Sequence, residues 1–514
     1  MLLLLLVACG SGVETLPPDS APVTERFAVP RFDLADGLES KDLGRGVSVL
    51  DVDGDGLLDL LSASSNLSFP GGSSVQLHLQ NPDGSYRRVT EEWGLRSQMD
   101  VWGLVPLDHD NDGELEILMT GAAWNGVTNN LWLTLRPEGP AMESGPYGAC
   151  GPGATMGASV ADLNRDGHLD LVMANGAAHR WGGCTDILLG SEQGLSRLTN
   201  VGRGSEEGFG TVVHDLSGDG YPEIVLTEGI GVVIYENLGE PPWFEMDDPA
   251  HRYSLRIRAE EDDAAWTKAS LAVLLLDYDQ DGDLDPFVCT YDDPDAPGES
   301  YNQRLLRNDG DMVFTDVSQE QGVRFGPGCM GAGVGDIDMN GYPDLYLGTG
   351  GPEAGHETDN ILYLNTGDGF VDVSQEAGTT WKGRTHGIEF ADMNQDGAMD
   401  LILNSGGAYA GQDEGLRVAL QRGGPFNGVP VVIKGPANNP DGVGARVVAE
   451  TDKGTFYAYN LRGSGFGSTN LGPVWVGVAD ASTATVRVEF PDGAVTTSQE
   501  LSLPVEPITL RWGD

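Results

Sequence analysis

The sequence predicts an all-β protein, a seven-bladed β-propeller followed by a small β-sandwich-like domain, and three observations lead to this prediction. A nine-residue, aspartate-rich segment occurs seven times, and successive copies start 53 to 62 residues apart. Each copy lies between short apolar runs such as VSVL and LDLLSA, which are typical of β-strands. Hairpin turns such as NPDG and NDG follow at regular intervals. Four strands in a repeat of about 57 residues are typical of a propeller blade.

Composition limits the classes of partner. The 514 residues include 79 acidic and 29 basic side chains, which gives a formal net charge of −50. Such an acidic chain is a poor ligand for nucleic acid and for anionic lipid surfaces. The 74 glycines are about twice the usual share of roughly 7%, which fits a fold with many tight turns.

The N-terminus predicts export. The apolar run MLLLLLVACGSG is shorter than the roughly 20 residues that a membrane-spanning helix needs. Its residues 6–9, LVAC, resemble a bacterial lipobox, so residues 1–9 are expected to be a lipoprotein signal with Cys9 as the lipid-modified residue. A truncated ordinary signal peptide is the alternative. Residues 10–25 are polar and proline-rich, as in a flexible tether. We expect a bacterial cell-envelope or secreted protein that meets membrane only through this anchor.

The repeated segment has the donors of a hard-cation loop. Oxygen-bearing side chains stand at positions one, three, five and nine, and glycine stands at position six. The candidate metal ligands are Asp51, Asp53, Asp55, Asp59, Asp108, Asp110, Asp112, Glu116, Asp162, Asn164, Asp166, Asp170, Asp215, Ser217, Asp219, Glu223, Asp277, Asp279, Asp281, Asp285, Asp336, Asp338, Asn340, Asp344, Asp392, Asn394, Asp396 and Asp400.

Calcium suits this pattern better than magnesium does. Calcium takes six to eight oxygen ligands in a flexible shell, whereas magnesium requires a strict octahedron. The residue at position seven varies, which is what a backbone carbonyl ligand predicts. We therefore predict up to seven Ca²⁺ ions, with the weakest site in the copy that starts at Asp215, because Ser217 replaces a carboxylate there.

An EF-hand and a set of metal-free turns are the alternatives to this calcium loop. An EF-hand needs a bidentate Glu at position twelve and flanking helices, and this chain has neither. Metal-free turns also favour Asp, Asn and Gly. Seven copies that always carry Asp or Glu at position nine favour metal binding over that explanation.

The spacing also predicts how the ring is built and closed. Glycine stands five residues before the first aspartate in six copies, and Ala272 is the exception. Only small residues fit where the innermost strands of several blades meet near a common axis. The N-terminal segment 31–34 takes the place of an outer strand, so it is expected to complete the last blade. The propeller then covers residues 26–424, with an insertion in blade 4 at residues 240–266.

Four cysteines remain after Cys9. In an exported chain they predict two disulfides, for which three pairings are possible. Proximity in sequence and blade position favour Cys150–Cys184 and Cys289–Cys329, and buried free thiols are the alternative.

The seven units resemble the FG-GAP/VCBS repeats of integrin α-chain propellers and their bacterial relatives over about residues 26–424. The resemblance implies that the metal loops lie between the first and second strands of each blade, on one face of the disc. The long connections of the opposite face are then candidates for ligand binding. Their aromatic and histidine residues are Trp181, Tyr291, Tyr301, His356 and Tyr409. Packing of these side chains onto neighbouring loops is the alternative.

The repeats stop near residue 424. Residues 425–514 resemble the UnbV/ASPIC module that follows such propellers in cartilage-acidic-protein-like sequences. Asn439, the run 444–447, the motif 463–465 and the run 491–493 carry this resemblance. Phe490 and the run 476–478 depart from the family pattern, in which tryptophan and Phe-Gly-Leu are usual. Alternation in ATVRVEF supports a small all-β domain.

Catalytic motifs such as HExxH, GxSxG and the phosphate-binding GxxxxGK are absent from the sequence. Of the eight histidines, His109 and His168 lie inside the loops and His214 lies next to one. We therefore predict a monomeric, calcium-binding adhesion or binding module for a protein or polysaccharide. A polymer-acting lyase or hydrolase, or a purely structural scaffold, are the alternatives.

Overall fold

The computed structural model describes residues 29–38, 43–64, 74–95, 100–121, 130–136, 139–146, 154–176, 184–202, 204, 208–228, 231–256, 268–292, 303–323, 328–350, 358–406, 414–422, 427–463, 465 and 467–513. Strand β1 (Phe32–Leu34) comes first and is followed by the strands of blade 1, β2 (Gly44–Leu50), β3 (Asp59–Ser64), β4 (Val75–Gln80) and β5 (Tyr86–Arg88). Blade 2 consists of β6 (Val101–Leu107), β7 (Glu116–Gly121), β8 (Leu131–Thr134) and β9 (Ala141–Ser144). Blade 3 consists of β10 (Ala154–Ala161), β11 (Asp170–Gly176), β12 (Cys184–Leu189) and β13 (Ser196–Arg197).

The next three blades repeat the arrangement. Blade 4 consists of β14 (Thr211–His214), β15 (Glu223–Thr227), β16 (Gly231–Tyr235) and β17 (Arg252–Arg256). Blade 5 consists of β18 (Lys268–Leu276), β19 (Asp285–Asp292), β20 (Gln303–Asn308) and β21 (Phe314–Asp316). Blade 6 contains β22 (Cys329–Gly335), β23 (Asp344–Thr349), β25 (Ile361–Asn365) and β26 (Phe370–Asp372), with β24 (Thr358–Asp359), α1 (Ser374–Ala377) and β27 (Lys382–Gly383) beside it.

Blade 7 closes the ring with a strand from the other end of the chain. It consists of β28 (Thr385–Ala391), β29 (Asp400–Ser405), β30 (Gly415–Gln421) and β1. Strand β1 pairs antiparallel with β30, with Phe32 opposite Gln421 and Leu34 opposite Ala419. The predicted closure by segment 31–34 is therefore confirmed, and β30 is not left as a free sheet edge.

The first strands of the seven blades contact one another in a closed order, β2, β6, β10, β14, β18, β22 and β28, and then β2 again. Each pair of adjacent blades shares one apolar cluster, for example Val49 with Met393 between blades 1 and 7. The core is therefore a ring of seven interfaces, and the predicted seven-bladed propeller is confirmed.

The positions near the axis that hold glycine require it for the expected steric reason. A Cβ on Gly331 would lie 2.1 Å from the carbonyl oxygen of His386 in the next blade, and one on Gly387 would lie 2.3 Å from that of Arg45. At Gly46 the obstacle is different, because the nearest atom is the carbonyl oxygen of Gly467, 2.5 Å away in the C-terminal domain. The axis therefore holds a segment that the repeat pattern does not predict.

The C-terminal domain, called the C-terminal module below, is a two-sheet β-domain. Its strands are β31 (Gly428–Lys434), β32 (Arg446–Thr451), β33 (Thr455–Tyr459), β34 (Thr469–Asn470), β35 (Val474–Gly477), β36 (Thr483–Glu489), β37 (Val495–Thr497), β38 (Leu501–Ser502) and β39 (Ile508–Arg511). The sheet orders are β35-β31-β39 and β33-β32-β36-β37, with β38 beside β36. Side chains such as Val429, Val447 and Val486 pack between them as a separate core. Strand β34 instead pairs with β2 of blade 1, parallel to it.

The described part of the chain contains no helix that is long and apolar enough to cross a membrane.

Candidate metal centre

Each aspartate-rich segment forms the loop between the first and second strands of its blade. In blade 1 the loop starts directly after β2, and position nine, Asp59, is the first residue of β3. The chain curls around the position-one carboxylate, since Asp51 Oδ1 accepts the N–H of Gly54 at 2.8 Å and Oδ2 accepts that of Gly56 at 3.0 Å. Gly56 has φ +89°, a conformation that favours glycine.

The same local bonds recur around the ring. In all seven loops the position-six glycine N–H donates to the position-one carboxylate, at 2.7 to 3.0 Å. In all seven the position-seven N–H donates to the side-chain oxygen at position five, at 2.7 to 3.0 Å. The loops are therefore seven copies of one geometry, as the repeat predicts.

Position nine has a structural role that sequence reasoning missed. Asp59 Oδ2 accepts the N–H of Val52 at 2.9 Å, and Oδ1 accepts the N–H of Gln80, 21 residues later at the end of β4, at 2.8 Å. The same pair of bonds, from loop position two and from the third strand or the residue after it, is made by Asp170, Asp285, Asp344 and Asp400. Position nine thus ties the loop to the third strand of its own blade.

In the two loops with glutamate at position nine, the carboxylate accepts N–H groups of the loop but none of the third strand. Glu116 accepts the N–H of His109 at 3.2 Å, and Glu223 Oε2 accepts those of Leu216 and Ser217 at 2.7 and 3.1 Å. Glu223 Oε1 is buried without a hydrogen-bond partner. The extra methylene therefore places the second oxygen where the strand amide does not reach it.

Burial makes these carboxylates hard to ionise without a counter-charge. Burial raises the pKa of Asp59 to about 7 and that of Glu223 to about 8. Burial also raises the pKa of Asp285 to about 9, and the nearby charges of Asp279 and Asp277 add to the rise. Among the described residues, no lysine or arginine forms an ion pair with a carboxylate at positions one, three, five or nine. The charge that would balance them is not supplied by described side chains.

The donor set fits a hard cation. Oxygens of positions one, three and nine come within 4.8 Å of one another in the loops of blades 1, 2 and 5. In blade 5, Asp277 is 2% exposed and its Oδ1 has no hydrogen-bond partner, as is also true of Asp279 Oδ1. A divalent cation between these oxygens would supply the missing partner and offset the repulsion. In the blade 4 loop, Ser217 Oγ is instead turned toward Asp215 Oδ1, 3.4 Å away.

An amide side chain joins each of five loops to the next blade. Asn365, at the end of β25 in blade 6, donates from Nδ2 to the carbonyl oxygen of Tyr278, position two of the blade 5 loop, at 2.7 Å. Gln80, Asn237, Asn308 and Gln421 make the equivalent bond at 2.8 to 3.0 Å. Loop position two is therefore held from both sides, its N–H by position nine and its carbonyl by the neighbouring blade.

The structure describes only some of the residues predicted to form disulfides, to carry the lipid or to bind a ligand. Cys289 and Cys329 form a disulfide between β19 and β22, with Cα atoms 5.3 Å apart, as the sequence favoured. Cys184 is also disulfide-bonded. Tyr291 lies within β19 and is 6% exposed, so its ring has little surface to offer a ligand. Cys9, Cys150, Trp181, Tyr301, His356 and Tyr409 lie outside the described residues.

The histidines near the loops have packing roles. His109 stacks on Trp132 with ring centroids 4.3 Å apart, and His214 meets Tyr459 of the C-terminal module edge-on at 5.5 Å. His168 Nε2 lies 3.4 Å from Asn438 Nδ2, also in the module. Two of the three therefore mark where the module touches the loop face.

Comparison with known families agrees with this architecture. The family described as FG-GAP-like repeat matches residues 51–119, 268–347 and 353–403, and the family described as ASPIC and UnbV matches residues 435–504. Parts of four blades and of the ring's closing blade therefore match FG-GAP-like repeats, and most of the C-terminal module matches ASPIC and UnbV. The loops of blades 3 and 4 lie outside the matched ranges, although their geometry is that of the other five.

Cartilage acidic protein 1 is a relative of this chain. The human protein is 27% identical over 280 residues, which cover 48% of this chain and 39% of the relative. The Xenopus tropicalis protein is 32% identical over 142 residues, which cover 26% of this chain and 21% of the relative. The chain therefore matches well under half the length of the curated relatives.

Several solved structures are similar at low identity. The Vibrio cholerae biofilm matrix protein Bap1 matches with a TM-score of 0.38 and 13% identity, over 76% of this chain and 91% of that chain. The extracellular domain of a putative hybrid two-component system from B. thetaiotaomicron matches with a TM-score of 0.44 and 11% identity, over 91% and 52%. The Dos1 propeller matches with a TM-score of 0.34 and 9% identity, over 76% and 95%. At these TM-scores the similarities add nothing to the fold described above.

Proposed function

We propose that this chain is an exported, calcium-stabilised propeller lipoprotein that binds a protein or a polysaccharide. The observation that carries the calcium part is the set of buried loop carboxylates that have no basic partner among the side chains that the structure describes. Asp277 is the clearest case, because one of its oxygens is buried with no hydrogen bond while Asp279 and Asp285 lie within 4.8 Å. A bound Ca²⁺ would lower the free energy of the folded state by mass action, since the unfolded chain has no such site.

Chelation tests this proposal. We expect EDTA to lower the melting temperature of the purified protein substantially, and elemental analysis before chelation to find up to seven calcium equivalents. Asp277→Ala should remove about one equivalent, whereas Asp215→Ala should change the melting temperature less, because Ser217 already weakens that loop. A melting curve that is unchanged in EDTA, together with no bound calcium, would contradict the proposal.

The binding part rests on the architecture and on the two families. A rigid propeller with a UnbV/ASPIC domain and no catalytic sequence motif is suited to present a binding surface. The C-terminal module lies on the loop face, so we place the partner site on the opposite face, to which the FG-GAP/VCBS resemblance assigns the connections that contain Trp181 and Tyr409.

A protein and glycan array probed with the calcium-loaded protein tests the binding part. We expect saturable binding that is weakened at least about tenfold by Trp181→Ala or Tyr409→Ala, as for an aromatic contact residue. Tyr253→Ala, on the outer strand of blade 4, is the matched control and should bind like the wild type. Turnover of polymer substrates without saturable binding would favour an enzyme instead.

A further inference from the structure

The C-terminal module contacts the blade 5 loop through its backbone and side chains. Gln280, at loop position four, accepts the N–H of Tyr457 at 2.7 Å and donates to the carbonyl oxygen of the same residue at 3.3 Å. The carbonyl oxygen of Gly282 accepts the hydroxyl of Tyr459 at 2.8 Å and Nη1 of Arg446 at 3.1 Å. These are specific contacts to a candidate calcium loop, and a surface that merely lies nearby would not make them.

The blade 6 loop is covered more completely. A Cβ on Gly477 of the module would lie 1.8 Å from Asp336 Oδ2, so this carboxylate and the module backbone are in direct contact. The N–H of Ala479 donates to the carbonyl oxygen of Met339 at 3.0 Å. No residue of the loop 336–344 is exposed, whereas Asp51, Asp53 and Asp55 of the blade 1 loop all are.

The module is also anchored along the axis of the ring. Its described residues 461–463, 465 and 467–471 contact the innermost strands of several blades, and the carbonyl oxygen of Gly467 accepts the N–H of Leu104 at 2.9 Å. The N–H of Leu471 donates to Val49 at 2.8 Å, and Asn470 donates to the carbonyl oxygen of Phe390 at 2.8 Å. Bonds to blades 1, 2 and 7 fix one docked position for the module relative to the whole ring.

The docked module covers negative charge on the loop face. Between it and blades 5 to 7 lies a cavity of about 200 Å³, and its described lining includes Asp277, Asp336 and Glu389 but no lysine, arginine or histidine. Placing a backbone against Asp336 and narrowing access to such a cavity removes water from carboxylates that have no basic partner among the described residues, which is costly. A divalent cation in each loop would remove most of that cost.

We infer that the C-terminal module is a calcium-dependent cover for the loops of blades 5 and 6. This inference rests on the proposal that the loops bind calcium. It adds that the ions in the loops of blades 5 and 6 are held under the module, whereas the other five are not. Ions at these two sites favour docking, and by linkage docking raises their affinity by the same factor. The covered ions leave more slowly than ions in the open loops.

Release of calcium into a fluorescent chelator in a stopped-flow instrument tests this inference with the full chain. We expect two phases, with about two calcium equivalents in the slow one. Gly477→Ala and Tyr459→Phe should each speed the slow phase at least about fivefold, the lower end of typical coupling energies, and leave the fast phase unchanged. Thr497→Ala, exposed on β37 of the module, and Tyr253→Phe, on blade 4, are the matched controls and should leave both phases unchanged.

The possible outcomes separate the two proposals. Asp336→Asn should remove about one equivalent from the slow phase alone, which supports the cover. Protein without bound calcium would overturn the proposed function itself. Calcium released in one phase, or in a slow phase that neither Gly477→Ala nor Tyr459→Phe speeds, would overturn the cover and leave calcium binding intact. If circular dichroism shows that Gly477→Ala fails to fold, Tyr459→Phe carries the test.

Discussion

At the scale of single residues, position nine does two jobs that the sequence presents as one. Its carboxylate is a candidate metal ligand, and in five loops it also accepts backbone N–H groups from the loop and from the third strand. The second job needs no ion, because a carboxyl oxygen accepts backbone N–H groups whether or not the carboxyl group is ionised. Position five is different, since Asp396 is exposed and accepts only bonds from within its own loop.

Asp400→Ala should therefore destabilise the protein even without calcium. It removes the acceptor of the Met393 and Gln421 N–H groups, at 2.9 and 2.7 Å, and leaves both donors buried. We expect the free energy of unfolding in EDTA to fall by roughly 2–4 kcal/mol. Asp396→Ala in the same loop is the control, with an expected loss below about 1 kcal/mol. Urea titration measures both, and equal losses would show that position nine acts only through metal.

At the scale of elements, the third strand of a blade also helps to position the loop of the neighbouring blade. The amide at or just after its end reaches the carbonyl of position two in the preceding loop in five of the seven blades. In blade 3 the residue after β12 is Gly190, and the contact is made differently, by Asn111 of the blade 2 loop, which donates to Ser191 at 2.8 Å. The loops are thus linked around the ring by side-chain amides as well as by apolar packing.

Asn365→Ala tests this linkage between blades 5 and 6. The buried carbonyl of Tyr278 would lose its donor at 2.7 Å, and Gly367 would lose its acceptor at 3.0 Å. We expect the free energy of unfolding to fall by roughly 1–3 kcal/mol, measured by urea titration. Asn438→Ala, which removes an exposed amide from the module, should change it by less than about 0.5 kcal/mol. A loss at Asn365 no larger than at Asn438 would mean that the amide only fills space.

At the scale of the whole molecule, two segments from opposite ends of the chain hold the seven blades together as a closed ring. Strand β1 completes blade 7, and residues 461–463, 465 and 467–471 contact several blades along the axis. Strand β1 covers the seven-residue edge of β30 and leaves a three-residue edge in its place, and a long bare edge pairs more readily with other chains than a short one does.

Deletion of residues 1–35 should therefore destabilise the ring and promote association, whereas deletion of residues 1–28 should do neither. The longer deletion removes β1 and the packing of Phe32 and Val29 against the cluster between blades 6 and 7. We expect it to lower the free energy of unfolding by about 2–4 kcal/mol. Sedimentation velocity should detect oligomers of the longer deletion only. Monomeric protein of unchanged stability would show that β1 is dispensable for closure.

The sequence by itself determined the features that repeat. Strand–loop–strand units, the oxygen-bearing side chains at positions one, three, five and nine, the small residues at the axis and the closing strand at 31–34 all follow from local chemistry and from the period. Each is encoded within a few residues, or in the regular spacing of the copies, so one chain suffices to find it.

Only the tertiary structure decided what lies between units. The second partner of Asp59 is 21 residues away, the amide of Asn365 serves the loop of another blade, and Gly477 rests on Asp336 from a separate domain. Such contacts produce no periodic pattern in the sequence. Each needs only one backbone amide, one side-chain amide or one small residue at the contact point, and many sequences provide these. The arrangement is fixed by the closed ring, whose geometry brings residues far apart in sequence to within hydrogen-bond distance.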